Sequence, residues 1–137
     1  MSKSIPPISK YMTTSPHTIG VEQTLDVATK MMHDYKVRHL PVLHGGQVVG
    51  ILSARDIALV ETLSGVDPKV VVVEEAMTQQ PYVVDASTLV TEVASEMASH
   101  KYGAVVVMQN HKIVGVFTTV DACRVLAELF EGRLKAS

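Results

Sequence analysis

Val49-Gly50-Ile51-Leu52-Ser53-Ala54-Arg55-Asp56 returns, 65 positions later, as Val114-Gly115-Val116-Phe117-Thr118-Thr119-Val120-Asp121. In both copies an apolar, β-prone run with one glycine ends on a hydroxyl residue, and a carboxylate follows three positions on. The apolar half reads as a strand, and [Ser/Thr]-x-x-Asp reads as a helix start. The same offset holds outward from this stretch. Met12-Thr13-x-x-Pro16 falls on Met77-Thr78-x-x-Pro81, Met32 on Met97 and Lys36 on Lys101. From Met12 to Leu59 no gap is needed, yet only nine of those 48 positions are identical. The duplication therefore rests on the matching order of element types rather than on identity.

Each copy spells the same series. In the first, a turn at Met12-Thr13-Thr14-Ser15-Pro16 precedes an extended piece, His17 to Val21. Leu25, Ala28, Met31, Met32 and Tyr35 then fall at helical spacing. Val37 to Leu43 and Gln47 to Leu52 read as a hairpin around Gly45-Gly46. A helix runs from Ser53 through Ile57, Val60 and Leu63. In the second, Tyr82 to Asp85 is extended, and Val90, Val93, Ala94 and Met97 mark a helix. Ala104 to Met108 and Ile113 to Phe117 flank a turn at Gln109-Asn110-His111, and a helix opens at Thr118 or Thr119. The expected division is a tail (1–7), a first unit (8–63), a linker (64–72), a second unit (73–134) and a tail (135–137). Val70 to Val73 is a β-prone lead into the second unit. One unit of about 60 residues buries only a thin core. The expected fold is thus α/β, two tandem β-α-β-β-α repeats packed with pseudo-twofold symmetry into one module.

Composition removes several function classes. With 137 residues, 47% of them hydrophobic and 19% charged, the chain is too apolar for disorder. A net charge of −2 argues against a nucleic-acid binder, which would carry a basic face. No run approaches the ~18 apolar residues of a membrane helix, and the first seven residues lack a signal-peptide core. A cytoplasmic protein is expected. The single Cys123 excludes an intramolecular disulfide and a multi-cysteine zinc site, and reads as a small buried residue. His17, His33, His39, His44, His100 and His111 include no i,i+4 pair, so no metal is expected. No nucleophile–base arrangement points to an enzyme. The methionines read as core fillers. In the last helix, Ala122, Val125, Leu126, Leu129 and Phe130 form an apolar stripe. Leu129, Phe130 and Leu134 either pack within the chain or meet a partner.

The two Gly-containing stretches, the two Met-Thr-x-x-Pro motifs and Val37-Arg38-His39-Leu40-Pro41-Val42 together resemble the CBS domain pair, or Bateman module, named for cystathionine beta-synthase. The resemblance spans about Ile8 to Leu129 and departs at Gly103-Ala104-Val105-Val106. It implies a non-enzymatic regulatory module with no required cofactor. Such pairs bind adenosine-containing ligands (AMP, ADP or ATP, sometimes NAD or S-adenosylmethionine) in two clefts between the repeats. It also implies a homodimer and an effector protein on another chain. The alternative is a ligand-independent dimerisation or scaffolding module.

The resemblance assigns residues to each cleft. In the first, Asp56 accepts the ribose hydroxyls and Ser53 reaches ribose or phosphate. Arg38 and His39 face the phosphates, and Arg55 adds charge; a guanidinium suits phosphate because its fork is planar and always charged. Tyr82, Val83 and Tyr102 lend the adenine slot. The second cleft uses Thr118 and Asp121 with Thr13, His17, Thr18 and Val37. It has Gly103 and Ala104 in place of Arg38 and His39, so the sites are expected to be unequal. Ser53-x-x-Asp56 is also an ordinary helix cap, and the two roles are compatible in an empty site. The glycine before it serves either a close backbone or a ligand.

Overall fold

The computed structural model describes residues 4–14 and 16–136. It contains two compact units: one is His17–Pro81, and the other joins Met1–Pro16 to Tyr82–Ser137. The units are therefore not the sequence repeats. Each includes the opening segment of the other copy.

In the His17–Pro81 unit the elements are β2 (Ile19–Gly20), α1 (Leu25–Tyr35), β3 (His39–His44), β4 (Gln47–Ser53), α2 (Ala54–Glu61), α3 (Val73–Ala76) and β5 (Thr78–Gln79). The other unit holds a 3₁₀ turn (Ile8–Lys10), β1 (Thr13–Thr14), β6 (Val83–Asp85), α4 (Val90–His100), β7 (Ala104–Gln109), β8 (Lys112–Thr118) and α5 (Thr119–Ala136). The sheets run β2-β3-β4-β5 and β1-β8-β7-β6. In each, the strand before the first long helix pairs in parallel with the hairpin, and all other pairings are antiparallel.

The Met-Thr motifs read as turns from sequence; in the structure they are edge strands. Thr13 and Thr14 pair with Val116 and Gly115, and Thr78 and Gln79 pair with Ile51 and Gly50. The duplicated glycine is what admits them. A Cβ on Gly50 would lie 2.5 Å from Met77 Sδ and 2.9 Å from the Thr78 carbonyl oxygen. On Gly115 it would lie 2.5 Å from Met12 Sδ and 2.7 Å from the Thr13 carbonyl oxygen.

The lead-in segments dock in matching ways. Ile8 donates to the Thr88 carbonyl at 2.7 Å, as Val73 does to Gln23 at 2.7 Å. Both side chains are fully buried, Ile8 with Val93, Val105 and Phe117, and Val73 with Leu25, Leu40 and Leu52. The β-prone run Val70 to Val73 does not make a strand. The Val70 and Val71 amides both close on the Asp67 carbonyl, Val72 forms only an isolated bridge to Thr24, and Val73 opens α3.

Both hairpins turn on two left-handed residues: Gly45 and Gly46 (φ 58° and 79°) in one, Asn110 and His111 (φ 52° and 65°) in the other. That is the twist a two-residue hairpin needs. Helices α1 and α4 stop on left-handed Lys36 (φ 57°) and Lys101 (φ 61°). Glycine is the preferred residue at such a cap because it has no Cβ to crowd the backbone. Lys101→Gly is expected to raise stability by about 0.5–1 kcal/mol, read as a higher urea midpoint at unchanged m-value.

Helix α5 splits the apolar stripe. Ala122 and Val125 pack on the core, whereas Leu126, Leu129 and Phe130 are 56%, 56% and 53% exposed. The Leu134 side chain lies outside the described residues. Cys123, expected to be buried, is exposed. The neighbouring Asp121 is the residue turned inward on this turn of the helix.

Candidate functional site

Ser53 ends β4 and caps α2. Its Oγ accepts from the Asp56 amide at 3.0 Å, and Asp56 Oδ2 accepts from the Ser53 amide at 3.0 Å. The hairpin register sets His39 opposite Ser53, and the Ala54 amide donates to the Arg38 carbonyl at 2.9 Å. One corner of the His17–Pro81 unit thus gathers Arg38, His39, Ser53, Asp56 and the amide-bearing end of α2. Arg38 and Arg55 are exposed, while His39 is half-buried. This is a basic, donor-rich corner of the kind anions favour.

Burial pushes the His39 imidazole below its ordinary value of 6.5; Asp56 opposes this and Arg38 adds to it. The shift favours the neutral imidazole, and a nearby anion would act in the opposite sense by stabilising the charged form. As pH falls below 6.5, the unfolded chain takes a proton that the folded chain resists, so stability is lost with acid. His39→Gln is expected to flatten the fall in urea midpoint between about pH 7.5 and pH 5.5.

The equivalent corner of the other unit has the same backbone and different chemistry. The Thr119 amide donates to the Gly103 carbonyl at 3.1 Å, and Ala104 pairs with Thr118. Glycine and alanine thus replace the arginine and histidine. Asp121 is only 3% exposed and its carboxylate is fully engaged. Oδ2 accepts from the Thr118 amide (2.9 Å) and Oγ1 (3.1 Å), and Oδ1 accepts from Thr13 Oγ1 (3.2 Å) and Arg124 Nη1 (2.9 Å). The Asp121 amide returns a bond to Thr118 Oγ1 at 3.3 Å. Thr13, Thr118 and Asp121 are therefore brought together. Arg124 joins them and was missed by the sequence reading; its i,i+3 spacing from Asp121 was the available signal.

The remaining candidates divide between the units. His17, Thr18 and Val37 fold within His17–Pro81, where the His17 ring stacks on Tyr35 at 3.5 Å and 8°. Tyr82, Val83 and Tyr102 fold in the other unit. There the Tyr82 and Tyr102 rings lie 5.2 Å apart and His100 stacks on Tyr102 at 5.2 Å. Burial raises the Tyr82 phenol, with Glu96, Glu92 and Tyr102 adding to the effect. At the 65-residue offset, His17 and Tyr35 answer to Tyr82 and His100, so both units carry one imidazole and one phenol at these two positions in opposite order. Among the described residues no group of three or more His, Cys, Asp or Glu side chains could hold a metal, and no helix is long and apolar enough to cross a membrane.

The sequence model of the CBS domain family matches residues 8–61 and 73–128. Hypoxic response protein 1 of Mycobacterium tuberculosis is 30% identical over 111 residues, covering 80% of this chain and 78% of that protein. A Vibrio cholerae protein provisionally assigned to acetoin utilization (AcuB) superposes with a TM-score of 0.82 at 25% identity, covering 98% and 99% of the two chains. CBSX2, solved in complex with AMP, superposes with a TM-score of 0.77 at 25% identity, covering 90% of this chain and 97% of that one.

Proposed function

The chain belongs to the CBS domain family, and from that premise we propose that it is a non-enzymatic regulatory module of the cytoplasm that binds adenine nucleotides of the AMP, ADP and ATP class. The observation that carries this reading is the corner built by β3, β4 and α2. It sets a carboxylate acceptor, a helix amino end, Arg38 and the half-buried His39 imidazole side by side. A ribose diol needs the first and phosphates need the rest. Ser53 and Arg55 add a hydroxyl and a charge at the same helix start. Tyr82, Val83 and Tyr102 are assigned to the adenine. The binding of AMP by CBSX2 supports the choice of ligand.

Asp121, with Thr118 and Thr13, is the centre of the second and weaker site, to which the family resemblance also assigns His17, Thr18 and Val37. Its phosphate side is uncharged where Gly103 and Ala104 replace the arginine and histidine. Ligand favours one arrangement of the two repeats, and a partner protein reads the change. A scaffolding role without ligand is the second reading; the exposed Leu126, Leu129 and Phe130 on α5 favour it as a homodimer contact.

Thermal unfolding with adenosine, AMP, ADP, ATP, NAD and S-adenosylmethionine separates the two. A ligand at a hundredfold its Kd adds about 2.7 kcal/mol to the native state. The expected result is a clear upward shift with at least one phosphorylated ligand. An unmoved midpoint across the whole panel would refute nucleotide binding.

A further inference from the structure

Asp56 and Asp121 occupy the same place in the duplicated motif, yet their carboxylates differ in availability. Among the described contacts Asp56 accepts only from the Ser53 amide, through Oδ2. Asp121 accepts four hydrogen bonds, and its Oδ1 is taken by Thr13 and by the charged Arg124 guanidinium. The residue answering to Arg124 is Leu59, an aliphatic side chain 59% exposed on α2. Asp121 thus has three bonds that Asp56 lacks, and of their donors Thr118 and Thr13 have hydroxyl counterparts in Ser53 and Thr78, so Arg124 is the one donor that the first copy does not possess in sequence.

We propose that Arg124 is a specificity-determining residue: it competes with ligand hydroxyls for Asp121 and sets the second site below the first. This rests on the nucleotide-binding reading above. A ribose hydroxyl reaching Asp121 Oδ1 must displace a bond from Thr13 or from Arg124. Bonds from a cationic donor are roughly twice as strong as neutral ones, so a neutral hydroxyl exchanges evenly with Thr13 but loses the exchange with Arg124, which leaves room for one hydroxyl at most. At Asp56 the same hydroxyl meets an oxygen with no protein donor on it among the described residues. The inequality of the sites thus has a second cause, separate from the missing cations at Gly103 and Ala104. It acts on the sugar rather than on the phosphates, and so extends to ligands without phosphate.

The experiment is calorimetric titration with AMP and with adenosine. Asp56→Asn isolates the second site. Adding Arg124→Leu, which copies position 59, is expected to tighten binding of both ligands there by about tenfold, the value of one charge-assisted hydrogen bond. Arg124→Lys keeps a cationic competitor and is expected to leave the site weak. Leu59→Arg changes an exposed helix position and installs the competitor at Asp56, so it is expected to weaken the first site by about tenfold. This variant gives the answer even if Arg124→Leu unfolds. Unchanged affinity in both Arg124→Leu and Leu59→Arg would overturn the proposal. Weaker binding in Arg124→Leu would also overturn it, by making Arg124 a ligand contact. If the unaltered chain binds neither AMP nor adenosine, the same variants are titrated with the panel member that raises the unfolding midpoint; if no member does, the nucleotide reading itself fails and takes this inference with it.

Discussion

Gly115→Ala is expected to cost about 2–3 kcal/mol of stability and to lower Tm by about 10 °C. The new Cβ would sit 2.7 Å from the Thr13 carbonyl oxygen and 2.5 Å from Met12 Sδ. The sulfur can swing aside, but the carbonyl belongs to the β1–β8 ladder and cannot move without breaking the pairing of Thr13 with Val116. Truncating the sulfur in Gly115→Ala/Met12→Ala is therefore expected to recover only part of the loss. Gly132→Ala is the internal reference. Nothing lies within 4 Å of its added Cβ, and a helical glycine replaced by alanine gains about 0.5–1 kcal/mol. Urea unfolding of the two variants measures both signs. A Gly115→Ala chain as stable as the unaltered one would mean that β1 does not lie on β8. Because native domains are stable by only about 5–15 kcal/mol, this loss is a large share of the total. It falls on a contact made by a residue that the sequence repeat assigns to the other copy.

The largest functional effect is expected at Asp56. Asp56→Asn should weaken AMP and ATP binding by about a hundredfold, the value of two hydrogen bonds from a ribose diol to a charged acceptor. Asparagine keeps an oxygen for the Ser53 amide, so the cap that Asp56 now completes at 3.0 Å is preserved. Asp56→Ala removes both, and adds a helix-capping loss of about 1 kcal/mol. Calorimetry reads the affinity and circular dichroism the cap. Equal affinities for the aspartate and asparagine forms would remove Asp56 from the site and leave it as a cap alone.

Local chemistry made much of this legible in advance. The strand–cap–helix stretch was readable at Ser53 and Asp56 because a capping box is closed by residues three apart, whatever lies around them. The hairpin over Gly45-Gly46 was readable because only a few residue types turn a chain in two steps. The expectation that Arg38 and His39 face phosphates came only through family resemblance, since alternation along a strand does not say which face meets a ligand. Val70 to Val73 misled for the opposite reason: β-branched residues favour strands, yet their amides were captured by the Asp67 carbonyl and by Gln23. Cys123 misled because free cysteine usually behaves as a small buried hydrophobe, whereas here it is exposed on α5.

From the sequence alone came the 65-residue duplication, the β-α-β-β-α order, the two capped helices and the resemblance to the CBS domain pair. Each depends on neighbours within a few positions, or on a pattern repeated along the chain. Only the tertiary structure decided that each opening Met-Thr pair closes the sheet of the other copy. The same holds for the duplicated glycine, which makes room for a methionine and a backbone carbonyl, and for Asp121, which is held by Thr13 and Arg124. Thr13 and Asp121 are 108 residues apart in sequence. A contact of that separation is fixed by how a sheet finds its last edge strand, which no local propensity encodes.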